Sequence, residues 1–512
     1  MSSDFPWLTA LIVLPLVGAA VLWLLPAGAR RHTRTVALAF TLAEVALGAG
    51  ALLAFDTGDA GAQQLAETHQ WIPSLGVSYA VGVDGVGLAL LLMSVVLVPL
   101  VVLAAWREQG STGAPSDRLR HFLALALVLE AFIVAVFSAR DVFFFYVLFE
   151  AMLIPVYFMI GAFGGAQRRY AAIKFLIYSL TGGLIMLVAV IALYLQGPGG
   201  KQGFLTDNLT ALTIDPTLEK WLFAGFFLAF AIKAPMFPVH TWLPDAAQNA
   251  TPGTSVLLVG VLDKVGTFGM LTLCLPLFPA ASRWAAPFVI VLAIVSIIYG
   301  ALLAIGQKDL MRLIAYTSVS HFGFIVLGIF AFTSTSVAGS SFYMVNHGLS
   351  TGALFLIAGF LVARRGSQDI ADFGGLQRVV PVMAGTFLVA GLSALSLPGL
   401  STFVSEFLVL VGTFARHPAA AIVASLGVVL AAVYVLWTYQ RIFTGPVRDG
   451  LETMPDLRTR ERWAVGPLIA AMLVLGFVPG PALDLVRPPA SVTLEQVGVT
   501  DVPASAAEGS TP

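Results

Sequence analysis

Apolar runs of about 20 residues, separated by short polar breaks, recur from one end of the chain to the other, and that length is what an α-helix needs to cross a bilayer. The pattern predicts fourteen such helices, over residues 5–25, 35–55, 85–106, 119–137, 143–163, 171–195, 221–237, 254–278, 284–305, 312–332, 340–363, 381–413, 419–443 and 463–479. In lipid only helices and closed barrels satisfy every backbone group, so the expected fold is an all-α polytopic membrane protein. The seventh and twelfth runs are interrupted by proline, at Pro235/Pro238 and Pro398-Gly399. Each is the fourth of a five-helix set, helices 4–8 and 9–13, which predicts two inverted repeats with discontinuous helices in corresponding places. Around this core (residues 119–444) lie three N-terminal helices (1–118) and a C-terminal part (445–512) holding a loop, the last helix and a polar tail. The loop over residues 56–84 and the Pro/Ala/Glu tail after Val486 are the longest polar stretches, and the tail is expected to be disordered or to lie along a partner.

Composition agrees: 58% of the residues are hydrophobic and 11% charged, against about 25% charged in soluble domains. A net charge of -1 offers no basic face for nucleic acid. The lone Cys274 excludes an iron-sulfur cluster or a cysteine zinc site within this chain, because those need several thiolates. Asp4 before the first run and Arg30, Arg31 and Arg34 after it mark a retained helix rather than a signal peptide. Of the 27 Lys and Arg, 18 fall in one set of loops, including Arg107, Arg168, Arg169, Arg364, Arg365 and Arg458. The alternate loops hold six: Arg140, Lys201, Lys220, Arg283, Arg416 and Arg487. The positive-inside rule then places both termini outside. Lys174 is expected to snorkel to the interface, which leaves Lys233 and Lys264 inside the membrane.

The ionisable residues within the runs are Glu44, Glu130, Glu150, Lys233, Asp263, Lys264 and Glu406, with His240, His321 and His347 at or near helix ends and interiors. A charge at mid-bilayer costs at least about 2.5 to 3.5 kcal/mol, so such residues pair, face water or line an ion path. Structural pairing explains one Glu–Lys pair; it does not explain charges spread over several helices. Proline removes a hydrogen bond to the carbonyl four residues earlier, so Pro235 is expected to free Ala231, Pro238 to free Ala234 and Pro155 to free Ala151, beside the charges at 233 and 150. Freed carbonyls hold water, and the string of titratable groups points to proton transfer. Two other readings compete. A bis-histidine haem protein would use His321 with His347, but has no second pair. A solute carrier would show an enclosed site with substrate-specific polar groups.

The segments "FYVLFEAMLIP", "KAPMFPVHTWLPDA", "LIAYTSVSHFGF", "VNHGLSTGALFLIAG" and "LPGLSTFVSEF" carry a resemblance. In them, and in its fourteen-helix layout, the chain resembles the antiporter-like, subunit M-type proteins in the membrane arm of proton-pumping NADH:quinone oxidoreductase, respiratory complex I. The resemblance implies a translocase subunit without a redox centre, moving protons across a bacterial plasma membrane on energy from other subunits, which would hold the flavin and iron-sulfur clusters. It implies neighbouring subunits of the L and N type as partners. By the same resemblance Glu150 is the fifth-helix partner of Lys233, Lys264 links the two half-channels, and Glu406 takes the twelfth-helix place where the sister subunits and cation/proton antiporters usually carry lysine. His321 and His347 fall on the hydrated axis, with His240 less certain, in the loop after the seventh helix. Two departures stand out: Ala247 where the family often has histidine, and Asp263 where an apolar residue is usual. The alternatives are a cation/proton antiporter subunit and the equivalent subunit of a complex with another electron donor.

Overall fold

The computed structural model describes residues 5–106, 117–210 and 212–502, so that Asp4, Arg107 and the end of the polar tail lie outside the described residues. All fourteen runs fold as helices: α1 (Trp7–Leu24), α2 (Thr33–Ala54), α3 (Gly85–Ala105), α4 (Asp117–Ser138), α5 (Val142–Ala151 and Leu153–Phe163), α6 (Arg168–Gln196) and α7 (Pro216–Lys233 and Trp242–Asn249). They continue with α8 (Pro252–Leu277), α9 (Pro279–Ile305), α10 (Leu310–Phe330), α11 (Ser334–Arg365), α12 (Pro381–Ala394 and Ser401–Arg416), α13 (Pro418–Phe443) and α14 (Thr459–Phe477). Eleven are long and apolar enough to cross a membrane by themselves. The exceptions are α7, whose first half carries Glu219, Lys220 and Lys233, the divided α12, and α14.

Burial sorts these helices. The three least apolar of the eleven, α8, α10 and α11, are buried along nearly their whole length, whereas α2 and α13 bury only about a third of theirs. That order reverses the logic of a soluble protein and suits lipid: side chains such as Leu184, Val188 and Val429 face outward, while the serines and threonines of α10 and α11 are kept inside. Helices 4–8 and 9–13 each hold five elements, so the second set enters from the face opposite the first, and the breaks in α7 and α12 fall in its fourth member as the pattern predicts.

Two polar stretches depart from expectation. Residues 56–84 contain an antiparallel hairpin, β1 (Gln64–Ile72) with β2 (Val77–Val83), whose register is offset twice by irregularities. The Asp141 carboxylate caps α5 and also accepts from the Ser78 amide at 2.9 Å, which ties the hairpin to the helix ends on that side. The tail after Val486 is not disordered where described: α15 (Gly480–Val497) turns 71° from α14 and packs on α3 and α11. Leu483, Leu485, Val486, Ala490, Leu494 and Val497 form its buried side. Pro489 has no amide to offer the carbonyl of Leu485, and that carbonyl rests against Gly85, where a methyl group would fall 1.8 Å away. Arg283 and Arg416 donate to the carbonyls of Val497 and Thr500 at its end.

Candidate functional site

Pro235 and Pro238 end the first half of α7 at Lys233. The carbonyls of its last turn find donors locally: Phe230 accepts from the Ala234 amide at 2.7 Å, Ala231 from Met236 at 3.0 Å, and Ile232 from the indole of buried Trp242 at 2.9 Å. The expectation of a free Ala231 carbonyl is therefore corrected, because the chain turns back tightly enough for Met236 to replace the missing donor. Lys233 is fully buried at the C-terminal end of the half-helix, where the backbone dipole favours a cation. Its ammonium has no hydrogen-bond acceptor among the described residues and lies 4.7 Å from the centre of the Phe149 ring and 5.8 Å from that of Phe175.

Glu150 stands two residues before the interruption of α5 at Met152. Its carboxylate fills the space that Gly183 of α6 leaves open: a methyl there would sit 1.7 Å from Oε1. Glu150 and Lys233 act on each other electrostatically, yet no direct hydrogen bond joins them.

Lys264 belongs to α8, between two wide π-helical stretches, Val256–Leu262 and Met270–Cys274. Its ammonium donates to the Val259 carbonyl at 2.5 Å and meets Nδ1 of His347 at 2.7 Å. With Lys264 as donor, His347 carries its own proton on Nε2. The His347 and His321 rings meet edge to face with centres 5.2 Å apart, leaving no gap for a porphyrin between them. Nε2 of His321 shares a hydrogen bond of 3.1 Å with the Tyr434 hydroxyl. A further polar neighbour of His321 is the backbone of Ala394, whose helical amide partner would be Pro398.

The line continues to the break in α12. Tyr343 donates to Glu406 Oε2 at 2.5 Å and Ser396 donates to the same oxygen at 2.8 Å. Ser396 has φ +61°, a left-handed conformation costly for a residue with a side chain, and this turn is what aims its hydroxyl at Glu406. Asn346, beside His347, holds the second half of α12 through the Ser401 carbonyl at 2.9 Å.

Lys264, His321, His347 and Glu406 are thus brought into one buried line, and Lys233 with Glu150 forms a second group beside it. His240 lies within the break of α7 among Phe237, Tyr299 and Tyr316, and no hydrogen bond links it to that line. Sequence reasoning missed Tyr343, Tyr434 and Ser396, since hydroxyls are ordinary in membrane helices and only the packing singles these out. It also missed Asp245, which binds Lys174 at 2.6 Å and Arg312 at 2.5 Å and so pins the second half of α7 to α6 and α10. Lys174 therefore pairs instead of snorkelling. Glu44 and Glu130 face each other electrostatically from α2 and α4, away from this line, with no hydrogen-bond donor to either among the described residues.

Residues 139–431 match the family described as NADH:quinone oxidoreductase/Mrp antiporter, transmembrane. The chain is 48% identical to the NADH-quinone oxidoreductase subunit M of Mycobacterium tuberculosis, over 98% of this chain and 96% of that protein. It is 38% identical to the subunit of the same name from Rhodobacter capsulatus, over 94% and 95%. Its fold is similar to a chain of respiratory complex I from Thermus thermophilus with bound NADH, with TM-score 0.87 and 33% identity over 96% of this chain and all of that one. A chain of the Mrp complex from Dietzia shares the fold at TM-score 0.82 and 22% identity, over 96% and 99%.

Proposed function

The chain belongs to the NADH:quinone oxidoreductase/Mrp antiporter transmembrane family, as a subunit M-type member of the complex I membrane arm, and we propose that protons cross it along the line from Glu150 and Lys233 through Lys264 to Glu406. The observation that carries this reading is the run of buried polar groups from α8 to the break of α12: Lys264 bonds His347, His347 meets His321, His321 bonds Tyr434 and lies with its ring centre 6.0 Å from that of Tyr343, and Tyr343 donates to Glu406.

Each group has a task its surroundings suit. The Phe149 face stabilises the Lys233 ammonium without supplying an acceptor that would trap its proton. Glu150 is the adjustable counter-charge. Two opposite charges brought to about 4 Å at an effective dielectric of about 20 gain about 4 kcal/mol, or about three powers of ten in a proton equilibrium. When Glu150 approaches, Lys233 keeps its proton; when it withdraws, Lys233 releases it toward Lys264. The histidines and tyrosines, each both donor and acceptor, pass it on to Glu406. The Arg-rich loops lie on the cytoplasmic side of a bacterial plasma membrane and both termini lie outside. Energy comes from redox chemistry in other subunits, which carry the flavin and iron-sulfur clusters; subunits of the L and N type flank this one.

Lys233→Ala and Glu150→Ala, assayed in vesicles containing the whole complex, are expected to abolish proton translocation while the subunit remains inserted. Unchanged proton-to-electron stoichiometry in either would sink the proposal. Glu406, where antiporters usually carry lysine, counts against the antiporter reading; cation-dependent transport by the isolated subunit would favour it.

A further inference from the structure

Asp263 takes no part in the line just described, yet it is fully buried and neither of its carboxylate oxygens has a hydrogen-bond donor among the described residues. Its place follows from how α8 packs on α7. Gly266, one turn further along, touches the end of the first half of α7: a methyl there would lie 2.5 Å from the Phe230 carbonyl and 2.6 Å from the Ala234 amide, which bracket Lys233. Gly269 continues the same face, with the Phe230 ring 2.5 Å from where its methyl would be. Residues three apart on a helix share a face, so Asp263 looks toward Lys233. Lys264 is turned by about 100° from it and reaches instead for His347. Both ammonium groups feel the Asp263 charge.

We infer that Asp263 is the relay that carries the proton from Lys233 to Lys264, an inference that rests on the proton path proposed above. In the first transfer an N–H bond of the Lys233 ammonium breaks and an O–H bond forms on Asp263, leaving a neutral amine and a neutral carboxylic acid. In the second, once the Lys264 ammonium has passed its own proton to Nδ1 of His347, that O–H bond breaks as the neutral Lys264 amine takes the proton, and the carboxylate returns. The first step removes a buried ion pair and the second restores one, so the relay moves one net positive charge from Lys233 to Lys264, each charge keeping a counter-charge where no water shell screens it. The π-helical stretch before Asp263 widens α8 there, with the Asp263 amide bonded to Leu258 five residues back at 3.0 Å, and so sets which face each of the two consecutive residues occupies.

The test uses the whole complex in vesicles with NADH as donor. Asp263→Asn keeps shape and cannot take up and give back a proton as a carboxyl group, so it should lose NADH-driven proton uptake through this subunit, while Asp263→Glu should retain it. Infrared difference spectra on energisation should show a carboxylic acid band in the native complex that Asp263→Asn lacks. If Asp263→Asn does not assemble, the native spectrum and Asp263→Glu decide. Normal uptake by Asp263→Asn, or a native complex without that band, would overturn the relay, the latter leaving Asp263 a fixed counter-charge. Normal uptake by Lys233→Ala would instead overturn the underlying path, so the two failures are distinguishable.

Discussion

Single side chains in this protein are costly enough that their surroundings reveal their purpose. Gly183 exists so that Glu150 has somewhere to be. Gly183→Ala is expected to displace that carboxylate and impair proton translocation by about tenfold or more, the effect of a pair energy altered by about 1.4 kcal/mol; initial rates of vesicle acidification with membrane content as control would check it. Tyr434→Phe deletes the hydroxyl partner of His321 and leaves a buried ring nitrogen unpaired, a loss of about 1 to 3 kcal/mol. Slowed translocation with intact assembly is the expected result. Charged residues were legible in the sequence because each interrupts an apolar run, as Lys233, Lys264 and Glu406 do. Their hydroxyl partners were not, because Tyr343 and Tyr434 differ in nothing local from the tyrosines that merely pack.

Among elements, the broken helices were readable from proline and the wide turns of α8 were not. Pro235 and Pro398 announce an interruption by chemistry, whereas Val256–Leu262 is a buried aliphatic run with no residue that marks its π-helical winding. Gly266 is the hinge point of that packing. Gly266→Ala would drive a methyl group into backbone atoms of α7 that have no room to yield, so much reduced accumulation of the subunit in the membrane is expected. Gly385 of α12 is the control, since nothing lies within 4 Å of the methyl that Gly385→Ala would add, and its accumulation should stay at the native level on the same immunoblot. The hairpin of β1 and β2 escaped the sequence reading because its register is irregular and β1 exposes apolar Ala66 and Trp71 along with Thr68, His69 and Gln70, which breaks the alternation a strand should show.

Across the whole molecule, a hydropathy ruler recovered the order of α1–α14 and the breaks in α7 and α12 because lipid imposes length and apolarity on each span separately. It failed at α15, whose apolar side is covered by protein and whose paired prolines resemble a disordered tail. α15 lies against the start of α3, and residues from its end to Asp501 bond Arg283 at α9, Ser334 at α11 and Arg416 at α12. A chain ending at Val478 is expected to insert all fourteen helices, melt several degrees lower and be cut by protease added outside; thermal shift and limited proteolysis of sealed vesicles would show whether it does. The strap is also the last part of the described chain to be made, while the helix ends it joins were laid down up to about 400 residues earlier. Its docking therefore acts as a clasp on a finished garment: until synthesis reaches it, the helix ends it fastens stay open, and a chain truncated by error never closes.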